Sequence, residues 1–345
     1  MLNINKKDEI IATAGPTMCR ADEFESAIRL GCTNFRIHLG LRHRDQVGYL
    51  RNLRIAEKMT GIKCDAIIDF PTSRPRLDGF VEKFVKKDEN IHFAAEQNGV
   101  DEIIITGLEK FIDSLQEHQH IYCRDGKVAF RILEVDVKNC KVLAVCVKST
   151  IKLIRGGSVV FPSADIEFIP IVKEDKIILE TMKREELNPD WLCLSFASNK
   201  KQINELRSFS INLWGEDKKI ISKIEHKKGI LNADEIIEHS DSIMIGRGDL
   251  SLHVNPIQLP KIQAMLMKKV ILKKKIAIIA TEFLESFSSE AVIHRSEITD
   301  IATAVRQGAN ALLLARETSN SNRPLECIRL MKSIMREEMI DEVYL

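Results

Sequence analysis

Eight short runs rich in Ile, Val and Leu recur along the chain, and each is bounded by polar or glycine-containing turns. They occupy residues 9–15, 33–39, 64–70, 191–196, 218–225, 241–247, 275–282 and 311–317. Nearly continuous apolar runs of this length are typical of parallel strands buried on both faces. Stretches with helical period, such as 21–31 and 200–209, lie between most of them. Strand followed by helix, repeated eight times, predicts the α/β class and a closed (β/α)8 TIM barrel.

The interval between the third and fourth strands is about a hundred residues, far longer than one crossover helix needs. Its later part, 121–161, has Arg-Asp-Gly and Gly-Gly turns between β-rich runs, which predicts a small antiparallel sheet or barrel. We therefore expect residues 1–76 and 171–345 to form the barrel and 77–170 a β-rich inserted lid domain. An insertion after a barrel strand follows the carboxyl end, where barrel active sites lie, although it can also be decorative.

Composition narrows the class of protein. The chain has 345 residues, 44% hydrophobic and 29% charged, which excludes disordered and fibrous proteins. Lys plus Arg is 51 and Asp plus Glu is 50, so the formal charge of +1 favours neither nucleic acid nor an anionic membrane as a partner. Eight cysteines without a CxxC pair, no apolar signal segment and no membrane-length apolar run indicate a cytoplasmic protein.

Polar and charged residues collect at the predicted carboxyl ends of the strands. They are Arg36, His38, Asp69, Ser195, Lys223, Glu225, Arg247 to Asp249, Thr281, Glu282 and Arg316 to Thr318. Unpaired buried charge is costly, so one or two such residues could form structural ion pairs. The whole set indicates a site for a polyanion and a metal ion.

Lys223 and Glu225 lie two apart on one strand, so both point either into the barrel or toward the helices. With Asp249 after the next strand, two carboxylates suit Mg²⁺ or Mn²⁺, which take their remaining ligands from water and substrate. The alternative is a Lys–Glu ladder that only stabilises the barrel. Gly248 lets backbone amides approach an anion, and Thr281 either offers its hydroxyl to a ligand or caps a helix.

The motifs in combination resemble those of the pyruvate kinase family. The run IISKIEHKKGI (220–230) is similar to the family signature, and MIGRGDL, ATEFLES, RSEITDIATAV and ARETSNSNRPLE follow in the family's order. The family's first three strand motifs resemble three runs near the amino terminus of this chain, which are ATAGP, FRIHLG and IIDF with a later arginine. The resemblance covers nearly the whole chain, and it implies a barrel with an inserted lid.

The resemblance also implies a reaction, the transfer of the phosphoryl group of phosphoenolpyruvate to ADP or another acceptor, with ATP as the product nucleotide. Lys223 would stabilise the transferring group, and Glu225 and Asp249 would hold Mg²⁺ or Mn²⁺. Arg36 and Arg76 would contact phosphate oxygens. These assignments follow the family's motifs residue by residue.

The remaining substrate contacts carry over in the same way. The amides of Gly248 and Asp249 would bind the substrate carboxylate, and Thr281 would lie beside the carbon that takes up a proton. Catalytic roles therefore fall to Lys223, Thr281 and Arg36. Enolpyruvate left by the transfer would become pyruvate.

Departures from the family pattern concern its monovalent cation. Members that need K⁺ hold it with Asn, Ser, Asp and Thr, and the matching positions here are His38, Gly40, Asp69 and Phe70. K⁺-independent relatives place a lysine where this chain has Arg74, so a fixed guanidinium would replace the ion. We therefore expect Asp69 and His38 with Arg74 to substitute for the cation site, and K⁺ not to be required.

Other departures leave the phosphoryl acceptor open. Glu282 replaces a glutamine, Ala315 and Arg316 replace Ser-Gly, and the loop after the third strand lacks the family's Lys-Gly-Pro-Glu. Because the last predicted helix, 324–339, lies near the end of the chain, we expect no carboxy-terminal regulatory domain. Any homo-oligomer would then form through the barrel.

Two other classes of protein remain open at this point. A metal-dependent lyase or aldolase that binds pyruvate enolate also places a Glu and an Asp on adjacent strand ends. Such an enzyme has no need of Lys223, which distinguishes it from a kinase. A non-catalytic relative that binds a phosphorylated metabolite would explain the lost cation site, but not the intact metal ligands.

Overall fold

A closed barrel of eight parallel strands forms the first part of the architecture. The computed structural model describes residues 2, 6, 8–40, 45–97, 99 and 102–340. The barrel strands are β1 (Glu9–Thr13), β2 (Asn34–His38), β3 (Asp65–Phe70), β4 (Trp191–Leu194), β5 (Lys219–Ile224), β6 (Ser242–Gly246), β7 (Ile276–Ala280) and β8 (Ala311–Leu314). Each strand pairs with its neighbours in the chain, and β8 closes onto β1. The predicted α/β barrel fold is confirmed.

Helices follow the strands and cover the barrel. They span Ala21–Arg29, Gln46–Thr60, Lys173–Arg184, Lys200–Trp214, Lys227–Leu231, Ala233–His239, Arg247–His253, Leu259–Leu272, Glu285–Glu290, Arg295–Arg306, Arg316–Ser319 and Pro324–Glu337. Local sequence sets their ends, as in Lys200–Trp214. There the Asn199 side chain accepts a hydrogen bond from the amide of Gln202, and Gly215 ends the helix with a φ of 73°.

The barrel interior is filled by apolar side chains from every second residue of the strands. This cluster comprises Leu2, Ile11, Ile67, Trp191, Cys193, Ile221, Met244, Ile278, Ala280, Ala311 and Leu313. Because side chains alternate along a strand, these residues identify the interior-facing positions of every barrel strand except β2. The interior is a packed core at this level.

The inserted segment forms a second unit with its own sheets. A seven-stranded sheet has the order Val159–Val160, His120–Cys123, Val128–Asp136, Lys141–Ser149, Asn90–Ala94, Glu102–Ile105 and Leu77–Asp78. Glu82–Lys83 and Leu153–Ile154 form a two-stranded sheet. The strands within 121–161 pair antiparallel, as expected from that run, whereas Asn90–Ala94 and Glu102–Ile105, which precede it in the chain, pair in parallel. Phe93 and Phe130 pack edge to face in its core, with ring centroids 5.1 Å apart.

The chain divides into two compact units. One contains residues 1–72, 170–248 and 259–345, and the other contains 73–169 together with 249–258. The sequence analysis placed only 77–170 in the insertion. The additional segment, 249–258, follows β6 and contributes Leu252, whose side chain lies against Gly126. Among the described residues, none of the helices has the length and apolarity needed to cross a membrane.

Candidate functional site

A layer of polar side chains lies one pleat beyond the apolar interior of the barrel. Ile221 faces the interior, so Lys223 and Glu225, two and four residues later, face it as well. The same alternation turns Asp69 inward from Ile67, and Ser195 from Cys193. The choice between barrel interior and helix layer, open from sequence, is settled in favour of the interior. The polar layer is defined here as the side chains of Arg36, Asp69, Ser195, Lys223 and Glu225.

Asp69 lies at the centre of the polar layer. Its Oδ2 accepts a hydrogen bond from Arg36 Nε at 2.6 Å and another from Lys223 Nζ at 3.3 Å. Its Oδ1 accepts one from Ser195 Oγ at 3.1 Å. Lys223 Nζ also donates to Ser195 Oγ at 2.9 Å and lies 3.0 Å from Glu225 Oε1. The ammonium group is thus held by two carboxylates and a hydroxyl.

Burial and charge act in opposite directions on the ionisation of this layer. Burial disfavours the ionised form of Asp69, but the positive charges of Lys223 and Arg36 outweigh it and hold its pKa well below the usual range. Burial likewise opposes the charged form of Lys223, whereas Asp69 and Glu225 raise its pKa above the usual value. Both groups are therefore charged at neutral pH. A buried, permanently charged ammonium at the barrel end can stabilise a developing anion.

Glu225 is positioned by the strands on either side of β5. Its Oε2 accepts a hydrogen bond from the amide of Phe196, 3.1 Å away, after β4. On the other side the backbone of Gly246, the last residue of β6, comes so close that a Cβ there would lie 2.5 Å from Glu225 Oε1. A glycine is needed at this point because any side chain would displace the carboxylate.

Thr281 follows β7 and contacts the turn after β6. Its Oγ1 accepts a hydrogen bond from the amide of Gly248 at 3.0 Å. Its backbone is left-handed, with a φ of 76°, and Glu282 follows at 62°. Arg247 donates to the carbonyl oxygens of both residues and pairs with Asp300. The predicted residues Gly248 and Thr281 are therefore neighbours at the end of the barrel.

Two predicted arginines and one predicted carboxylate belong to the second unit. Arg74 Nη1 donates to Asp249 Oδ1 at 3.0 Å, and both side chains are largely buried. Arg76 Nη1 donates to the carbonyl of Gly156 at 2.8 Å. Arg74 thus compensates the charge of Asp249 within this unit. The contact was not anticipated, because 175 residues separate the two in the chain.

His38 lies at the end of β2, where the sequence analysis placed part of the cation-site substitute. Its Nδ1 accepts a hydrogen bond from the amide of Gly40 at 2.9 Å. Sequence reasoning did not foresee the partners of Asp69 in this region. The only feature of the sequence that could have identified these partners of Asp69 is that each lies at the end of a predicted strand.

The carboxylates available to a metal ion are Glu225 and Asp249. Over the described ranges, no group of three or more His, Cys, Asp or Glu side chains is arranged to hold a metal by itself. Mg²⁺ commonly takes only one or two protein carboxylates and completes its shell with water and substrate oxygens. Glu225, in the barrel unit, and Asp249, in the second unit, each offer hard carboxylate oxygens of the kind that Mg²⁺ binds, unlike the Cys and His ligands typical of a structural zinc site.

Known proteins are similar to this chain in sequence and in structure. The family model described as pyruvate kinase, barrel domain, matches residues 5–328. The chain is 30% identical to a pyruvate kinase of Dictyostelium discoideum over 346 aligned positions, which cover 97% of this chain and 67% of that protein. It is also 30% identical to a pyruvate kinase of Methanocaldococcus jannaschii, over 100% of this chain and 72% of that one.

A solved structure shares the fold. The crystal structure of a pyruvate kinase from Cryptosporidium parvum superposes with a TM-score of 0.86 at 23% identity, covering 97% of this chain and 70% of that one. The family match, the two relatives and the strand-end arrangement of Lys223 and Glu225 lead to one conclusion. The chain belongs to the pyruvate kinase family, and it is a phosphotransferase of that type.

Proposed function

We propose that the chain transfers the phosphoryl group of phosphoenolpyruvate to ADP, with a divalent cation and without a requirement for K⁺. The bond between phosphorus and the enol oxygen breaks, and a bond to the β-phosphate oxygen of ADP forms. The enolate then takes up a proton at its methylene carbon and becomes pyruvate. The observation that carries the proposal is the buried, charged ammonium of Lys223 at the carboxyl end of the barrel, in a chain of this family.

Lys223 would act by electrostatic stabilisation. Its ammonium is already held by Asp69, Ser195 and Glu225, so little reorganisation is needed when negative charge develops on the transferring group. Phosphoryl transfer depends mainly on such positioning and charge stabilisation. Arg36 is the second cation of the layer and is proposed, with Arg76, to contact phosphate oxygens.

Thr281, Gly248 and Asp249 would bind and orient the enolate part of the substrate. The amides of Gly248 and Asp249 are proposed to donate to the substrate carboxylate. Thr281 Oγ1 accepts from the amide of Gly248, and its hydroxyl retains a proton that it can donate. We propose that this hydroxyl lies beside the carbon that is protonated.

Glu225 and Asp249 are the proposed ligands of Mg²⁺ or Mn²⁺. The cation would supply positive charge to substrate oxygens. Glu225 also pairs with Lys223, and Asp249 pairs with Arg74.

Independence from K⁺ is supported by the surroundings of Asp69. This is the one carboxylate that remains of the family's cation ligands, and both of its oxygens accept hydrogen bonds from side chains of the chain itself. Arg36 and Lys223 already supply two positive charges there. We propose that these contacts, with His38 and with Arg74, which follows β3 in the chain, replace the monovalent ion.

The setting of the reaction is proposed from the family and the composition. Phosphoenolpyruvate and a nucleotide would be the small-molecule partners, with neither nucleic acid nor a membrane involved. A cytoplasmic location, a role in glycolysis and a homo-oligomer formed through the barrel remain proposals of the same kind.

The test is pyruvate release from phosphoenolpyruvate with Mg²⁺ and ADP, in buffers whose monovalent cation is either K⁺ or tetramethylammonium. We expect equal turnover in both buffers, and Lys223→Met to lower kcat about 10²- to 10³-fold. Lys227→Met is the matched control, since this lysine is exposed on the next helix and should leave kcat unchanged.

Three other results would each contradict a part of this proposal. Strict dependence on K⁺ would refute the proposed substitution by Arg36, Lys223 and Arg74. Mg²⁺-dependent binding of phosphoenolpyruvate without turnover would mean that ADP is not the acceptor. Pyruvate formation by carbon–carbon cleavage that survives Lys223→Met would indicate a lyase.

A further inference from the structure

Two consecutive residues after β7 have left-handed backbones. Thr281 has a φ of 76° and Glu282 a φ of 62°. Residues other than glycine rarely adopt this conformation, and for a β-branched residue such as Thr281 it is a marked outlier. Strained backbones of this kind persist only where surrounding contacts hold them, and they concentrate at functional sites. The contacts that hold Thr281 therefore identify residues that matter for its role.

Arg247 supplies most of these contacts. Its Nη2 donates to the carbonyl oxygen of Thr281 at 2.5 Å, and its Nε donates to the same oxygen at 3.2 Å. Nη2 also lies 3.4 Å from the carbonyl oxygen of Glu282. One guanidinium group thus binds the carbonyls of both left-handed residues.

Arg247 is itself held in place by the helix Arg295–Arg306 and by the loop it binds. Its Nη1 donates to both carboxylate oxygens of Asp300, at 2.8 and 2.7 Å. Its guanidinium lies 4.3 Å from the ring centroid of Phe283. Only 8% of the Arg247 side chain is exposed, whereas 34% of the Asp300 side chain is exposed.

The turn that carries Arg247 also determines the orientation of the Thr281 hydroxyl. Gly248, the next residue, donates its amide to Thr281 Oγ1 at 3.0 Å. Adjacent residues of one turn therefore bind the carbonyl and the hydroxyl of Thr281 at the same time. A shift of Arg247 would move both contacts together.

We propose that Arg247 and Asp300 are positioning residues that hold Thr281 for the protonation of the enolate carbon. This inference rests on the proposed function, which assigns Thr281 to the carbon that takes up the proton. Arg247 and Asp300 do not touch the substrate in this scheme. They act through the backbone of Thr281, since a displacement of a reacting group by about 1 Å can cost about 10²-fold in rate.

The experiment separates the proton step from phosphoryl transfer. With Mg²⁺ present, exchange of the methyl protons of pyruvate with D₂O is followed by NMR, and kcat and KM for phosphoenolpyruvate are measured with ADP. Asp300→Asn removes the charge that holds Arg247 while keeping the shape of the side chain. We expect both exchange and kcat to fall about 10- to 100-fold, with KM within about threefold of the wild type.

The matched control is a second Arg–Asp pair of the barrel unit, remote from Thr281. Arg207 Nη2 donates to Asp241 Oδ2 at 2.8 Å, and Asp241 directly precedes β6, at the opposite end of the strand from Gly246. Asp241→Asn should lower the melting temperature and leave kcat and methyl exchange unchanged. A purely structural role for Arg247–Asp300 would make the two variants behave alike.

A second variant covers the case in which Asp300→Asn does not fold. Arg247→Lys keeps the charge opposite Asp300, but an ammonium cannot bind Asp300 and both carbonyls at once. It should reproduce the loss of exchange in a folded protein. Combined with Thr281→Val, neither change should add to the loss that Thr281→Val causes alone, because both act through the same residue.

Two results would overturn the inference, and they can be told apart from failure of the proposed function. One is a folded Asp300→Asn or Arg247→Lys protein with wild-type exchange and kcat. The other is full additivity with Thr281→Val. If the unmodified chain neither exchanges methyl protons nor forms pyruvate, the proposed function fails and the positioning role fails with it.

Discussion

Asp69 lies between the side chains of Arg36 and Lys223 in the polar layer. Its negative charge compensates these two buried positive charges. Arg36 and Lys223 approach the same oxygen, Oδ2, while Ser195 donates to Oδ1. Removing one member of a buried ionic network leaves its partners uncompensated, which typically costs about 3–5 kcal/mol. At the scale of single residues, the Asp69 carboxylate thus contributes both to the stability of the fold and to the proposed chemistry of the site.

Asp69→Asn tests this dependence through pH. The pKa of Asp69 is lower in the folded protein than its ordinary value of 3.8, so its contribution is complete above that value and is lost as the pH falls below it. We expect the variant to be less stable at pH 7 by about 3 kcal/mol. At pH 3 the difference should be about 1 kcal/mol smaller.

Urea-induced unfolding of both proteins at pH 7 and pH 3 measures the effect. A difference in the free energy of unfolding that is equal at the two pH values would show that the Asp69 carboxylate is not held ionised by Arg36 and Lys223. Activity provides a second readout, because the loss of Asp69 also removes a partner of the Lys223 ammonium.

At the scale of elements, the close approach of β6 to β5 determines where Glu225 lies. Strands of a parallel barrel bring their carboxyl ends together, and the last residue of β6, Gly246, faces the Glu225 carboxylate. The amide of Phe196, after β4, binds the other carboxylate oxygen. Three consecutive strands therefore orient one proposed metal ligand.

Gly246→Ala is the corresponding prediction. The added methyl carbon would lie 2.5 Å from Glu225 Oε1, so the carboxylate must move and the Lys223–Glu225 ion pair must lengthen. We expect kcat/KM for phosphoenolpyruvate to fall at least about tenfold, and more Mg²⁺ to be needed for half-maximal activity. Titration of activity with Mg²⁺ checks both.

Gly61→Ala is the control for this substitution. Gly61 ends the helix Gln46–Thr60 with a φ of 70°, and a Cβ there would meet nothing within 4 Å. This variant should lose about 1–2 kcal/mol of stability through backbone strain and keep the wild-type Mg²⁺ requirement. An unchanged Mg²⁺ requirement in Gly246→Ala would argue against Glu225 as a metal ligand.

At the scale of the whole molecule, the chain forms two units, each with its own hydrophobic core. The barrel interior and the core of the insertion contain different residues, and the chain passes between the units at residues 72–73 and 169–170 as well as around 249–258. Separate cores allow one unit to open while the other stays folded.

Phe130→Ala tests whether the units open independently. Phe130 is fully buried in the insertion, so its truncation should cost that unit about 3–5 kcal/mol. Amide hydrogen exchange should accelerate in the strands Val128–Asp136 and Lys141–Ser149 and remain unchanged in β7. Equal acceleration in β7 would show that the two units unfold as one.

The fold class and the strand ends that carry the candidate site can be predicted from local sequence patterns. Apolar runs of the right length predict buried strands, and eight of them with helices between predict the barrel, because these are local properties of the chain. The run 121–161 predicted a sheet in the insertion. It did not predict the strands between 77 and 105 or their one parallel pairing, since strand pairing depends on distant residues.

Which side chains contact one another could be seen only in the folded protein. The two-residue period of a strand allowed Lys223 and Glu225 to face either the barrel interior or the helices. In the closed barrel they face the interior. Asp69 reaches Lys223 across 154 residues of chain, and Arg247 reaches Asp300 across 53. No local pattern encodes such contacts, because they exist only once barrel closure brings separate strand ends together. The residue types at the strand ends therefore follow from the sequence, and their partners follow from the fold.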